Sequence, residues 1–201
     1  KENAHKKSDI SNEPDQGRRK VLIGLTAGFA AAGVAFAATP FVTTWNPSAR
    51  AKAIGSAVKV DVSKMMVGQQ IQVSWRKQPI LIIRHSPSAL SGLASVTSKL
   101  ADPNSDSIDE PYKNINATRS LSAEYSVLSG VCTHLGCSPK YYPEVEPKPW
   151  DSSWEGGFFC PCHGSMFDLV GRVYKGVPAP TNLTVPPHFF EGSILTIGEE
   201  A

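Results

Sequence analysis

Four cysteines and two histidines form two short boxes that are the part of this sequence best suited to metal binding. The first box is C-T-H-L-G-C at 132–137, and the second is C-P-C-H-G-S at 160–165. Each box holds a cysteine and a histidine two or three residues apart, so one tight loop can turn both side chains toward a shared metal. Because all the cysteines of the chain lie in these boxes, they indicate one local site rather than a disulfide framework spread over the fold.

The residue types alone leave the kind of metal open. Two cysteines and two histidines suit a structural zinc ion, which takes four nitrogen or sulfur ligands in a tetrahedron. Cys137 and Cys162 stand at equivalent places, one in each box, and could form a disulfide that joins the loops. A zinc site that uses four of six candidate ligands does not explain this symmetry. Outside the cytoplasm, two such thiols close together are expected to oxidise.

The paired boxes resemble the two cluster-binding loops of the Rieske proteins of bacterial quinol–cytochrome c oxidoreductases. The resemblance extends beyond the boxes to an apolar N-terminal segment, a linker of small residues and the Pro-rich loop G-V-P-A-P at 176–180. These features occur in the order that the family shows, so the resemblance covers residues 18–201. It implies that the site holds an iron–sulfur cluster rather than zinc.

The resemblance implies a 2Fe–2S cluster with two kinds of protein ligand. Cys132 and Cys160 would bind one iron through sulfur, and His134 and His163 would bind the other through imidazole nitrogen. Two thiolates and two neutral imidazoles leave the oxidised cluster uncharged, which raises its potential to roughly −150 to +300 mV, against about −400 mV in plant-type ferredoxins. The other residues that the family implies are the disulfide pair Cys137 and Cys162 and the cluster neighbours Leu135, Gly164, Ser165, Phe167 and Pro178.

The same resemblance implies roles for several of these side chains. Each histidine would present its second ring N–H outward, and once deprotonated that nitrogen could take a proton from quinol. Both histidines would act in this way, and His163 is the expected quinol contact. Ser165 resembles the serine whose hydroxyl donates to a bridging sulfide and raises the potential. Phe167 stands where a tyrosine hydroxyl more often donates to a ligand sulfur, so one potential-raising hydrogen bond is expected to be missing. Leu135 would shield the cluster and dock on partners.

The N-terminal part of the sequence predicts a membrane anchor. Residues 21–38 carry no charge and the apolar run extends to 42, which at ~1.5 Å per residue gives roughly 27–33 Å, the thickness of a hydrocarbon core. Basic residues precede this run, so we predict a cytoplasmic tail at 1–20 and a transmembrane anchor at 21–45. Arg18-Arg19 partly matches a twin-arginine export signal. A cleaved signal peptide is the alternative, and we expect retention.

The remainder predicts a hinge and a strand-rich head. Small and polar residues at 46–57 indicate a flexible hinge. From 58 to 201 we expect a mainly β head, an antiparallel β-sandwich with an inserted cluster-binding subdomain whose loops lie at about 131–180. Apolar alternation or short apolar runs predict strands, and a polar stretch predicts an exposed insertion at 98–120. The predicted strands are 58–62, 71–75, 80–83 and 193–197.

Composition and charge agree with a strand-rich head and exclude a nucleic-acid-binding protein. The 201 residues include 20 basic and 18 acidic ones, a balance that gives no basic face for nucleic acid. Charged residues make up only 19%, and glycine and proline number 16 each. Such a composition is typical of strand-rich domains with many turns rather than helical bundles.

The resemblance implies the iron–sulfur subunit of a ubiquinol–cytochrome c reductase. Such a subunit takes an electron and a proton from ubiquinol and passes the electron to a membrane-bound c-type cytochrome by moving its head. The implied partners are that cytochrome, a cytochrome b subunit and quinol, in a dimeric complex of the bacterial inner membrane with the head in the periplasm. The chain would not be catalytic alone. Alternatives are the Rieske subunit of a periplasmic molybdenum oxidase of the arsenite oxidase type and a zinc-stabilised binding module.

Overall fold

A computed structural model describes most of the chain, which divides into an N-terminal unit and a head. Residues 1–14 of the tail predicted at 1–20, and residues 50, 51, 53 and 54 of the predicted hinge, lie outside the described part. The hinge therefore stays a prediction. The described residues are 15–49, 52, 55–107, 112 and 115–200.

The N-terminal unit contains one long helix, α1 (Gln16–Thr43). Asp15 caps its first turn, because its carboxylate accepts a hydrogen bond from the backbone N–H of Gly17 over 2.9 Å. With 28 residues the helix is about 42 Å long, and its length and composition would let it cross a membrane. The prediction of one apolar N-terminal helix is confirmed, although the helix begins five residues before the predicted start at 21, because the cap lies ahead of the basic residues.

The head is built from antiparallel strands in three small sheets. Two of them, β1-β9-β8 and β2-β3-β4, form the sandwich, and the third, β5-β6-β7, belongs to the segment between β4 and β8. This arrangement confirms the predicted sandwich with its inserted subdomain. The strands are β1 (Val58–Asp61), β2 (Gln70–Trp75), β3 (Gln78–Arg84), β4 (Tyr125–Ser129), β5 (Lys140–Tyr142), β6 (Gly157–Phe159), β7 (Met166–Phe167), β8 (His188–Glu191) and β9 (Ile194–Ile197).

Strand β3 separates two hydrophobic cores, because its side chains alternate between the two faces of the sheet. Ile80 and Ile82 join the core inside the sandwich together with Leu195 of β9. Leu81 and Ile83 join the other core, which lies toward the inserted subdomain. Both faces of the strand are thus covered, which explains why its middle is an unbroken apolar run rather than an alternating one.

The core of the inserted subdomain holds two free cysteines. Cys132 and Cys160 lie in one buried cluster with Phe158 and Phe167, and the two rings are fully buried. Burying a phenylalanine side chain contributes about 1.5–3 kcal/mol, so the loops that carry the cysteines start from a rigid base. Strand pairing adds to this, because Phe158 of β6 is opposite Phe167 of β7.

The segment between β3 and β4 differs from the prediction. It begins with α2 (Pro87–Val96), which Ser86 caps by accepting a hydrogen bond from the Ala89 N–H. The expectation that 98–120 forms an exposed insertion is wrong for much of its described part, where Ser105, Arg119 and Ser120 are among the buried residues. Buried polar groups are tolerated when they have hydrogen-bond partners, so a polar sequence did not place this segment on the surface.

Candidate metal centre

The two sequence boxes fold into loops with the same backbone hydrogen-bond pattern. In the first loop the N–H of Cys132 donates to the carbonyl of Cys137, and the N–H of Gly136 donates to the carbonyl of Cys132. In the second loop Cys160 bonds Ser165 and Gly164 bonds Cys160 in the same way. The fifth residue of each loop has a positive φ, 83° at Gly136 and 75° at Gly164. Glycine allows this conformation at little cost, which lets each loop close tightly.

These loops bring together the four predicted ligands. Cys132 and Cys160 are free thiols with 2% exposure each. The rings of His134 and His163 lie edge to face, with centroids 4.8 Å apart. The Nδ1 atom of His134 is buried without a hydrogen-bond partner among the described residues. A buried ring nitrogen with no partner is costly unless something binds it, and a metal ion would satisfy it.

The surroundings of Cys132 favour its neutral thiol. Burial raises the pKa of its thiol, and the neighbouring thiol of Cys160 raises it further. The backbone N–H of His134 and the hydroxyl of Ser165 act in the opposite direction by hydrogen bonding to the sulfur. A buried thiol of this kind keeps its proton at neutral pH, so binding of a metal ion would release that proton.

A disulfide joins the two loops. Cys137 and Cys162 are bonded, with their Cα atoms 6.6 Å apart and a sequence separation of 25. The sulfur of Cys160 lies within 4.8 Å of both disulfide sulfurs, but sulfurs in a disulfide cannot serve as thiolate ligands. The pairing therefore leaves Cys132 and Cys160 as the thiol donors of the site.

The predicted neighbours surround this centre in different ways. Leu135 projects from the first loop and is 71% exposed. Pro178 is exposed at the third loop, 176–180, whereas Ala179 beside it is buried. Ser165 is fully buried, and its Oγ accepts a hydrogen bond from the Ala179 N–H over 3.0 Å. Phe167 is fully buried as well, in the same cluster as the two free cysteines.

Two residues that bind the loops together were missed in the sequence. Thr133 donates from its hydroxyl to the carbonyl of Thr181 over 2.7 Å, which ties the first loop to the third. Its position between two predicted ligands, Cys132 and His134, could have identified it as part of the site. Asn182 is fully buried and bonds three residues in two other segments, and nothing in its local sequence distinguishes it from a turn residue.

The donor set fits a mixed-ligand iron–sulfur cluster and would also suit zinc. Two free thiols are neighbours, the two imidazoles on the same two loops are neighbours, the other two cysteines are oxidised to a disulfide, and the buried Nδ1 of His134 has no partner among the described residues. Zinc requires only four such donors and gives no reason for a disulfide between the same loops. Comparison with known proteins distinguishes these possibilities.

The sequence matches two families. Residues 56–187 match the family described as Rieske 2Fe-2S domain, and residues 9–48 match the one described as Ubiquitinol-cytochrome C reductase Fe-S subunit TAT signal. Three similar proteins carry the name ubiquinol-cytochrome c reductase iron-sulfur subunit. That of Allochromatium vinosum is 48% identical over 91% of this chain and 89% of its own length. Those of Blastochloris viridis and Rhodospirillum rubrum are 40% and 39% identical, covering 94% and 88% of this chain and 96% and 88% of their own.

Proposed function

The chain belongs to the Rieske 2Fe–2S family, among the iron–sulfur subunits of ubiquinol–cytochrome c reductase, and we propose that it carries electrons from ubiquinol to a membrane-bound c-type cytochrome. Its cofactor is a 2Fe–2S cluster. The observation that carries the proposal is the meeting of two free buried cysteines and two histidines on loops with one hydrogen-bond pattern. Its relatives support this function over the molybdenum oxidase alternative.

Four side chains would hold the cluster, through the sulfurs of Cys132 and Cys160 and one ring nitrogen each of His134 and His163. When bound, the cluster supplies a one-electron acceptor whose mixed ligands raise its potential above that of all-cysteine centres. The buried Nδ1 of His134 supports its use as a ligand atom. The disulfide between Cys137 and Cys162 would keep the two loops at a fixed separation.

The histidines would provide the proton chemistry. His163 is exposed and His134 is half-buried, which supports His163 as the residue that meets quinol. If one ring nitrogen held the metal, the other would carry an N–H; only after losing that proton would it accept a hydrogen bond from the quinol hydroxyl and then the quinol proton. Added negative charge at the site would raise the proton affinity of the imidazole, so electron uptake and proton uptake would favour each other through linkage.

Helix α1 would lie in the membrane, and the head would lie in the periplasm. The export-signal match and the apolar helix α1 support a membrane-anchored, exported subunit. We place the N-terminus in the cytoplasm and the head in the periplasm, beside a cytochrome b subunit and the c-type cytochrome of a dimeric complex. The head would move on residues 46–57 between quinol and cytochrome, and the chain alone would not turn over quinol.

The ligand assignment is tested in membranes that contain the whole complex. We expect Cys132→Ala and Cys160→Ala to abolish the electron paramagnetic resonance signal of the reduced cluster and the quinol–cytochrome c reductase activity. Val145→Ala, in an exposed residue outside both cluster loops, is the control and should keep the signal. A cluster signal that survives either cysteine replacement would overturn the assignment.

Head movement has a separate test. Proline at positions 53 and 55, replacing Ala53 and Gly55, would stiffen the predicted hinge because proline fixes φ. We expect slower turnover of the complex with an unchanged midpoint potential, since the cluster loops are not touched. Turnover equal to that of the unmodified complex would argue for a head that does not move.

A further inference from the structure

Asn182 lies three residues after Ala179 and is fully buried. Its side-chain oxygen accepts a hydrogen bond from the N–H of Val173 over 2.7 Å. Its side-chain nitrogen donates to the carbonyl of Asp102 and to the hydroxyl of Ser105, both over 2.9 Å. One amide therefore ties the exit of the third loop to the strand region behind the second loop and to the segment at 98–120.

The residues on either side of Asn182 are also anchored. The carbonyl of Thr181 accepts the hydroxyl of Thr133, from the first cluster loop, over 2.7 Å. Leu183 donates its N–H to Gly171 and accepts a guanidinium N–H of Arg119 at its carbonyl, both over 2.8 Å. Residues 181–183 therefore join the first loop, the third loop and the 98–120 segment.

The third loop in turn contacts the second cluster loop through one backbone hydrogen bond. The N–H of Ala179 donates to Ser165 Oγ over 3.0 Å. Because this oxygen accepts a hydrogen bond from Ala179, the hydroxyl hydrogen of Ser165 must point in another direction. That hydroxyl also hydrogen-bonds to the sulfur of Cys132. The orientation of the Ser165 hydroxyl therefore depends on where Ala179 lies, and Ala179 is held only three residues from Asn182.

We propose that Asn182 is a positioning residue that sets the reduction potential of the cluster by holding the third loop against Ser165. The proposal rests on the proposed role of Ser165 as a hydrogen-bond donor toward the cluster. The 98–120 segment gains a function from it, because Asp102 and Ser105 supply the partners of the Asn182 amide. Asn182 is uncharged, so its replacement changes no charge near the cluster, and a shift in potential reports a change of position.

The test is a double-mutant cycle read by redox titration of the cluster signal in membranes. Asn182→Leu should keep the cluster and lower its midpoint potential. Ser165→Ala should lower it as well, and adding Asn182→Leu to Ser165→Ala should then give little further shift, because both changes remove the same hydrogen bond. Ser105→Ala removes one of the two Asn182 donor bonds and should give a smaller shift in the same direction. If the Asn182→Leu variant fails to assemble, Ser105→Ala takes its place in the cycle.

The control is Gln69→Leu, another amide replaced by leucine. The side chain of Gln69 accepts a hydrogen bond from the N–H of Met66, and its carbonyl accepts one from Arg84, at the last residue of β3. The first cluster loop begins after Gly130, which bonds Pro79 at the opposite end of β3. It should leave the potential unchanged. If Ser165→Ala shifts the potential and Asn182→Leu does not, or if the two shifts add, the positioning role is overturned. If Ser165→Ala causes no shift, the role of Ser165 fails, and the route through it fails too.

Discussion

The backbone N–H of Ala179 donates to the hydroxyl oxygen of Ser165 over 3.0 Å, and both residues are buried. This contact joins the third loop of the site to the second. Ser165 also accepts at its own carbonyl from the N–H of Cys160 over 2.8 Å, so its backbone and side chain are both fixed. A hydroxyl held in this way can donate to the cluster without losing rotational freedom at the moment of binding.

Replacement of Ser165 by alanine should lower the midpoint potential of the cluster. The change removes one hydrogen bond to the reduced, more negative state, and a bond worth about 1 kcal/mol corresponds to about 40 mV for one electron. Redox titration of the paramagnetic signal measures the shift. An unchanged or higher potential in the alanine variant would contradict the proposed hydrogen bond.

Replacement of Phe167 by tyrosine should raise the midpoint potential by tens of millivolts, on the order of 40 mV for one hydrogen bond. Phe167 is fully buried in the cluster of residues that contains Cys132 and Cys160, so a hydroxyl added there has a cysteine sulfur as its natural acceptor. The control is Phe158→Tyr on the strand opposite, which is buried in the same cluster but at a position where the family resemblance implies no donor, so it should leave the potential unchanged. If the Phe167 variant shows no shift or a fall, the missing hydrogen bond does not explain its potential.

The strands and the ligand boxes were predictable because their signals are local. Alternation at 58–62 and 193–197 predicts β1 and β9, which the structure confirms with bounds that differ by a residue. That these two strands pair, Val58 with Ile197, joins positions far apart in sequence. Local periodicity does not contain such a pairing, because it depends on which faces are buried together.

The 98–120 segment shows why buried polar contacts could not be predicted from the sequence. Its polar residues read as a surface loop, yet Arg119 is buried and donates to the carbonyls of Val170 and Leu183. A buried arginine is tolerated only where acceptors from distant segments surround its guanidinium. The same reasoning applies to Asn182, whose partners Asp102 and Ser105 are far from it in sequence. Composition cannot supply such partners.

Loss of the disulfide should destabilise the head and release the cluster. Cys137 and Cys162 are 25 positions apart, and in the loop-entropy picture a closed loop of that length contributes about 3.5 kcal/mol. The double variant Cys137→Ala/Cys162→Ala avoids a free thiol that could compete for iron. We expect a lower melting temperature and faster loss of the cluster signal on warming. The free-cysteine variant Cys137→Ala separates the effect of the lost bond from that of the remaining thiol. Equal stability of the disulfide-free protein would show that packing alone holds the loops.

Acid should destabilise the head through His85. Burial lowers the pKa of His85 from its ordinary value of 6.5 to about 4, and its Nε2 lies 2.8 Å from the hydroxyl of Ser126. The unfolded chain therefore binds more protons than the folded one between these two values, so stability falls as the pH drops from about 6.5 toward 4. From neutral pH to about pH 5 this histidine alone should cost about 2 kcal/mol. Burial also lowers the pKa of His188, which acts in the same direction.

The measurement is the melting temperature of the full chain at neutral pH and at about pH 5, before and after His85→Gln. Glutamine can still bond Ser126 but does not titrate, so the variant should lose less stability on acidification than the unmodified protein. A difference of about 2 kcal/mol corresponds to roughly 4–8 °C for a domain of this size. Since His188 is unchanged, part of the acid sensitivity should remain. Equal acid sensitivity of the variant and the unmodified protein would mean that His85 is already protonated when folded or stays accessible to protons. Either result would contradict a neutral, buried ring.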